Sequence, residues 1–336
     1  MICLYMLNEY TSLNYHHGIF YIHKSNYRHK VVSVNQNLFS RFLQYPRLTT
    51  RLLRLEPRCA ERLNRDCFVI SYAHKIWLLN ITTKCLSELQ RPRIGFSTPL
   101  NMVLCNDFVY WGDYGNNKKR EAVNIYRLDS SLAIEIVYTF PKKSIRHIHN
   151  IIKTNDGFIV LAGDNEKDAG IYKANTDWTD VIPWKIGKQR YRAVIGFMHV
   201  KGFIYATDSV ETENHIRIIA DDGTESVIAA INGSCIYGVE TEGYYIFSTT
   251  VEPREKGLLW DNRLGKGIKN HNVEIIAVSK IDFNTRIVRT FKKDFWPMKL
   301  FQYGACIFPK NQTTNNKLTY NIIACKGDGK IDSVEL

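Results

Sequence analysis

Apolar and polar positions along the chain alternate with the short period of strands far more often than with the longer period of helices. Runs such as "FVISYAHKIWLLNITT" from Phe68 set two stretches of aromatic and β-branched residues on either side of a polar turn. That is the pattern of a β-hairpin. The unit recurs as "GIFYIHKSNYRHKVVSVNQN" from Gly18, "FVYWGDYGNNKKREAVNIYRLD" from Phe108 and "FIVLAGDNEKDAGIYKANTD" from Phe158. Further copies are "FIYATDSVETENHIRIIADDG" from Phe203, "YYIFSTTVEPRE" from Tyr244 leading by a longer loop to "VEIIAVSKID", and "YNIIACKGDGKIDSVEL" from Tyr320.

Short apolar segments between the hairpins, such as "SCIYGVE" at Ser234 and "RIVRTF" at Arg286, supply a first and a fourth strand to each unit. Four antiparallel strands repeated roughly every 40 to 50 residues predict an all-β chain, a β-propeller. One such sheet buries neither face alone, and stacking on its neighbours buries both. The expected architecture is a single domain over residues 1–336 with seven blades, six being the alternative if the terminal copies merge. The last copy ends one strand short, and "ICLYMLN" at the N-terminus is expected to complete it. Helical pattern is confined to "RLTTRLLRLEPRCAERLNR", Arg47 to Arg65, where Pro57 interrupts it.

Against this background "SIRHIHNII", residues 144–152, stands out. In a strand His147 and His149 share a face while Ile148 points away. Placed at the start of an inner strand, Arg146, His147 and His149 are expected at one rim of the propeller. The turns after the second strands share that rim and bring Asp113, Asp164 and Asp208. The next inner strand, "KQRYRAVIGF", adds Gln189, Tyr191 and Arg192, and "STTVEPRE" adds Glu252 and Arg254. An aspartate at a turn also has a plain role, capping nearby backbone N–H groups. Arg192 equally suits a simple ion pair with a neighbouring carboxylate.

Charge and cysteine content narrow the partners. The net charge is +12, and part of the excess lies in Arg41, Arg47, Arg51, Arg54, Arg58, Arg62 and Arg65, an arginine-rich insertion at about residues 41–65. Its plain interpretation is a solvated loop or an outer strand. No zinc-finger, RRM or helix-turn-helix pattern accompanies it, so nucleic acid is not expected as a partner. No run of about 18 apolar residues predicts a transmembrane helix, and the first residues lack the marks of a secretory signal. The eight cysteines form no C-x-x-C pair. Buried, reduced thiols in a cytoplasmic protein are expected. The oligomeric state has no sequence signal.

The ordered series "WGDYGNNKKREAVNIYRLD", "VYTFPKKSIRHIHNII", "GDNEKDAGIY", "GKQRYRAV" and "ATDSVETENHI" resembles a bacterial family of BNR-repeat, sialidase-like, glycosyl-hydrolase-like β-propellers, over about residues 95–310. The resemblance implies a propeller and a link to bacterial polysaccharides. The family's Asp-box, S-x-D-x-G-x-T-W, survives only as echoes in "KANTDWTDV" and "IADDGTES". Arg120, Arg146 and Arg192 stand as candidates for the sialidase arginines; a nucleophilic tyrosine is not identifiable.

Two functional classes follow. The first is an enzyme on an acidic polysaccharide. Arginine fits a sugar carboxylate, and an imidazole moves a proton near neutral pH. This suits β-elimination, with His147 or His149 as base and Tyr191 protonating the leaving oxygen. Hydrolysis instead needs two carboxylates, drawn from Asp164, Asp208 and Glu252. Arg120, Arg146, Gln189, Arg192, Asp208 and Asp113 are the expected substrate-binding residues. No cofactor is required, although His147, His149, Gln189 and a carboxylate also suit a divalent cation. The second class is a non-catalytic glycan- or protein-binding propeller, in which these side chains are occupied by internal ion pairs.

Overall fold

The structure is a computed structural model and describes residues 1–25, 27–34, 42–312 and 317–336. Seven antiparallel sheets follow one another along the chain, each a simple meander with strands in sequence order. Six have four strands and the last, among the described residues, has three. The chain is therefore a seven-bladed β-propeller, and the six-bladed alternative is excluded. It divides into two compact units, Glu56–Val194, and Met1–Leu55 together with Ile195–Leu336.

The unit Glu56–Val194 holds the second, third and fourth sheets. The third consists of Val103–Cys105, Phe108–Gly112, Val123–Leu128 and Ile134–Phe140. The fourth consists of Ile148–Lys153, Gly157–Ala162, Gly170–Asn175 and Val181–Ile186. Gly157–Ala162 is buried along its whole length, whereas Val181–Ile186 is partly or fully exposed. The sequence explains the gradient: "GFIVLA" is apolar on both faces, as a strand covered on both sides requires, and "VIPWKI" is broken by Pro183 and Lys185.

The third and fourth sheets share one core. Tyr110, Val123, Ile125 and Phe140 pack with Ile148, Ile151, Phe158 and Val160. Trp178, in "KANTDWTDV", stacks on Phe158, ring centroids 4.5 Å apart. Around it Asn175 donates its side-chain amide to Thr179 and accepts the Asp180 amide. The turn is thus held by its own side chains around a buried tryptophan. Gly112 lets the sheets approach: a Cβ there would lie 2.5 Å from the Ile148 Cβ.

The structure corrects two expectations. "ICLYMLN" is not the missing strand of the last sheet. Ile2–Asn8 pairs with Thr11–His16 as the first strand of the first sheet. "GIFYIHK" and the strand after it therefore form the third and fourth strands of that sheet, one position later than in the other copies. The N-terminal strand still meets the last sheet: Cys3 N–H donates to Asn321 Oδ1 at 2.8 Å, and Asn321 Nδ2 donates to Cys3 O at 2.9 Å.

The second correction concerns the arginine-rich stretch. Only Arg47–Leu52 is helical, and Arg54 takes a left-handed conformation three residues before Pro57. Cys59–Arg62 is the first strand of the second sheet. Arg51 is not solvated but 2% exposed. Its guanidinium pairs with Asp294 at 2.5 Å and Asp328 at 3.3 Å and donates to Phe301 O at 2.7 Å. Arg47 adds a bidentate pair with Asp328. Arg41 lies outside the described residues.

All eight cysteines are free; six are buried and Cys85 is exposed. Among the described residues no helix is long and apolar enough to cross a membrane.

Candidate functional site

The site is built on the start of the strand Ile148–Lys153. Its pairing with Gly157–Ala162 shifts register between Ile148 and Asn150, so His149 is the extra residue of a β-bulge. A bulge re-aims a side chain that regular pleating would fix. Here it leaves His147 and His149 on one side, as alternation predicts, and close enough for their Nε2 atoms to lie 2.8 Å apart.

Asp164, two residues beyond the strand Gly157–Ala162, closes the group. Its Oδ1 lies 3.1 Å from His149 Nε2 and 3.4 Å from His147 Nε2. Its Oδ2 receives Arg146 Nη1 at 2.8 Å, and Arg192 Nη2 stands 3.6 Å from Oδ1. Gln189 Nε2 donates to the Asp164 backbone carbonyl at 2.9 Å. Six expected site residues, Arg146, His147, His149, Asp164, Gln189 and Arg192, thus form one network within one unit. Both imidazoles and the carboxylate are largely removed from water, while Arg146 keeps 30% of its side chain exposed.

The far side of each imidazole fixes its tautomer. His147 Nδ1 faces the Gly115 carbonyl, and His149 Nδ1 faces the Ala193 carbonyl at 2.8 Å. A carbonyl only accepts, so both Nδ1 atoms carry hydrogen. Burial pushes His147 below the usual histidine range, outweighing the opposing pull of Asp164. Burial acts to raise the Asp164 carboxyl, but hydrogen bonding to His147 and His149 and their charge outweigh it, and it stays well below the usual carboxylate range. With each Nδ1 turned to a carbonyl, the two Nε2 atoms face each other and the Asp164 carboxylate. His147, His149 and Asp164 are the group that offers three mutually close ligand atoms for a metal ion among the described residues.

Other expected residues have different surroundings. Asp113 pairs with Arg93 and accepts the Asn124 amide at 2.8 Å; burial raises its carboxyl even so. Arg120 pairs with Asp168. Tyr191 ends the short 3₁₀ turn Gln189–Tyr191, is buried, and its hydroxyl accepts from Arg190 at 3.0 Å. Asp208 and Glu252 belong to the other unit. Asp208 is buried there, and Glu252 accepts from Thr250 Oγ1 at 2.6 Å and from Ser234 Oγ.

Sequence patterning missed three members. Asn116 accepts Arg146 Nη2 through its side chain and Arg146 Nε through its backbone. Asn117 donates to the Arg146 carbonyl at 2.9 Å. The Tyr114 ring lies 4.6 Å from that of His147. All three sit in "DYGNN", whose density of turn residues was the available signal.

A seven-bladed β-propeller with a buried His–His–Asp cluster flanked by two arginines is the class that fold and site define. No family model and no curated protein matches the sequence. Among solved structures, the AfRom2 CNH domain aligns over 100% of this chain and 93% of that chain, with TM-score 0.57 and 8% identity. A chain of the mitotic checkpoint complex aligns over 100% and 93%, at 0.56 and 6%. The oligogalacturonate lyase of Vibrio parahaemolyticus aligns over 92% and 87%, at 0.51 and 7%. At these identities the likeness is one of fold alone.

Proposed function

We propose that the protein is a carbohydrate-active propeller that binds an acidic saccharide at the Arg146–Asp164–Arg192 cluster and cleaves it by β-elimination. The observation that carries this is the grouping of two guanidinium groups, two imidazoles and one carboxylate in a single network. Elimination from a uronic acid needs its carboxylate neutralised, so that the adjacent C–H becomes acidic, and a base to take that proton. Arg146, with its exposed edge, and Arg192 supply the charge. His147 or His149 accepts the C–H proton at Nε2 as the bond to the leaving oxygen breaks, and that oxygen takes its proton from water.

Elimination fits better than hydrolysis. Hydrolysis needs one carboxyl as acid and a second as base or nucleophile. Asp164 is held ionised by its cationic and imidazole neighbours, and Glu252 is engaged by two hydroxyl groups. That an oligogalacturonate lyase shares the fold accords with a uronate substrate.

A second reading has its own support. Arg93, Arg120 and Arg146 are each paired with an aspartate of the chain, as a non-catalytic binding platform would have them. Incubation with a panel of acidic bacterial polysaccharides separates the two. New ultraviolet absorbance from an unsaturated uronide is the expected result. Binding without that absorbance establishes the platform, and neither binding nor cleavage across the panel overturns both.

A further inference from the structure

We infer that His147, His149 and Asp164 form a binding site for one divalent first-row transition-metal ion, a site that stands whether or not the protein acts on a saccharide. Three acceptor atoms converge: His147 Nε2 and His149 Nε2 at 2.8 Å, His149 Nε2 and Asp164 Oδ1 at 3.1 Å, and His147 Nε2 and Asp164 Oδ1 at 3.4 Å. Each Nδ1 donates to a backbone carbonyl, which leaves Nε2 as the ligand atom of each ring at this meeting point. A buried gathering of lone pairs is unfavourable unless a positive centre sits among them.

The spacing suits a metal. Bonds of about 2.0 to 2.1 Å place neighbouring ligand atoms about 2.8 to 3.4 Å apart in octahedral or tetrahedral geometry. The outer contacts suit one too. Each imidazole donates its remote N–H to a backbone carbonyl, Gly115 for His147 and Ala193 for His149, which fixes the ring and directs Nε2 inward. Two imidazoles and one carboxylate favour Mn²⁺ through Zn²⁺ over Mg²⁺ or Ca²⁺, which take all-oxygen sets. Three protein ligands leave positions open for an exogenous ligand.

Charge points to what that ligand is. A divalent ion with one carboxylate, beside Arg146 and Arg192, leaves the site with excess positive charge. An anionic group, such as a carboxylate, balances it. Metal and acidic ligand should therefore strengthen one another's binding, and by linkage they do so equally. Once in place, the ion would share in neutralising the substrate carboxylate, and a metal-bound hydroxide would take the proton that the imidazoles accept in its absence.

The test uses the full chain, stripped with a chelator and titrated calorimetrically with Zn²⁺ and, separately, Mn²⁺. One equivalent is expected, with a higher melting temperature in the metal-bound form and no binding of Mg²⁺ at the same concentrations. Asp164→Asn and His149→Gln should each lower affinity at least about 100-fold. Cys85→Ser, which removes the exposed thiol, should leave it unchanged. Melting curves of the stripped variants establish that they fold. If either variant does not, ligand hyperfine structure in the paramagnetic resonance of Mn²⁺- or Cu²⁺-loaded wild type must show two nitrogen ligands. Absence of stoichiometric binding, or a site lost in Cys85→Ser and kept in Asp164→Asn, overturns the proposal and leaves a shared proton between the imidazoles in its place. A uronate that fails to tighten a metal site that does form counts against the saccharide reading alone.

Discussion

Single side chains in this protein carry two distinct burdens, chemical at Arg146–Arg192 and structural at Trp178 and Arg51. Trp178 is almost wholly buried and packs on Phe158 and Tyr110. Trp178→Ala should cost about 3–5 kcal/mol, read as a lowered denaturant midpoint at constant slope. Arg51 sits in a fixed ion-pair network with Asp294 and Asp328. Removing it takes one of two cationic partners from each carboxylate, Asp328 keeping Arg47 and Asp294 keeping Lys293, and leaves the Phe301 carbonyl without its donor, so Arg51→Ala should cost about 1–3 kcal/mol. An effect within about 0.5 kcal/mol, the size of an ordinary surface substitution, would return the segment to the solvated role its composition suggested. The two residues differ in legibility. A tryptophan in a turn motif announces a packing role. One arginine among seven gives no local sign that it is the buried one, because that depends on Asp294 and Asp328, more than 240 residues away in the chain.

At the scale of elements, the site depends on how one strand begins. The bulge at His149 and the close approach of Gly112 to Ile148 set where the imidazoles stand. Gly112→Ala would place a methyl group within 2.5 Å of Ile148 Cβ. It should cost about 1–3 kcal/mol by overpacking and weaken ligand binding at the neighbouring histidines. Unchanged stability in urea unfolding would mean the sheets separate freely there. The grouping of Arg146, His147, His149, Asp164 and Arg192 was readable because strand alternation and repeat register are local patterns. The bulge was not, since nothing in "HIHN" marks an extra residue. Nor were the partners Gly115 and Ala193, which act through backbone carbonyls and so leave no side-chain signature. The first sheet begins one strand earlier than the hairpin pattern indicates, with the Glu9–Tyr10 turn joining "ICLYMLN" to "TSLNYH".

For the molecule as a whole, seven meanders repeat one solution to burying both faces of a small sheet. The repeat made the fold legible. Within the unit that holds both termini, the first strand is tied to the last sheet by Asn321, which bonds Cys3 N–H and the Cys3 and Ile307 carbonyls. Asn321→Ala should orphan these buried groups and cost roughly 1–3 kcal/mol per group left unpaired. Deleting residues 1–8 should prevent folding. A deletion variant that melts like the full chain would show that the N-terminal strand is dispensable.

The central claim is that the Arg146–His147–His149–Asp164–Arg192 cluster recognises a carboxylate-bearing ligand. Its most direct test is the affinity of a uronic-acid oligosaccharide for the wild-type chain and for Arg146→Ala, whose side chain is the most exposed of the network. The account predicts a loss of about 2 kcal/mol or more in binding, roughly 30-fold, with the unfolding midpoint nearly unchanged. Equal affinity in the two proteins would contradict it.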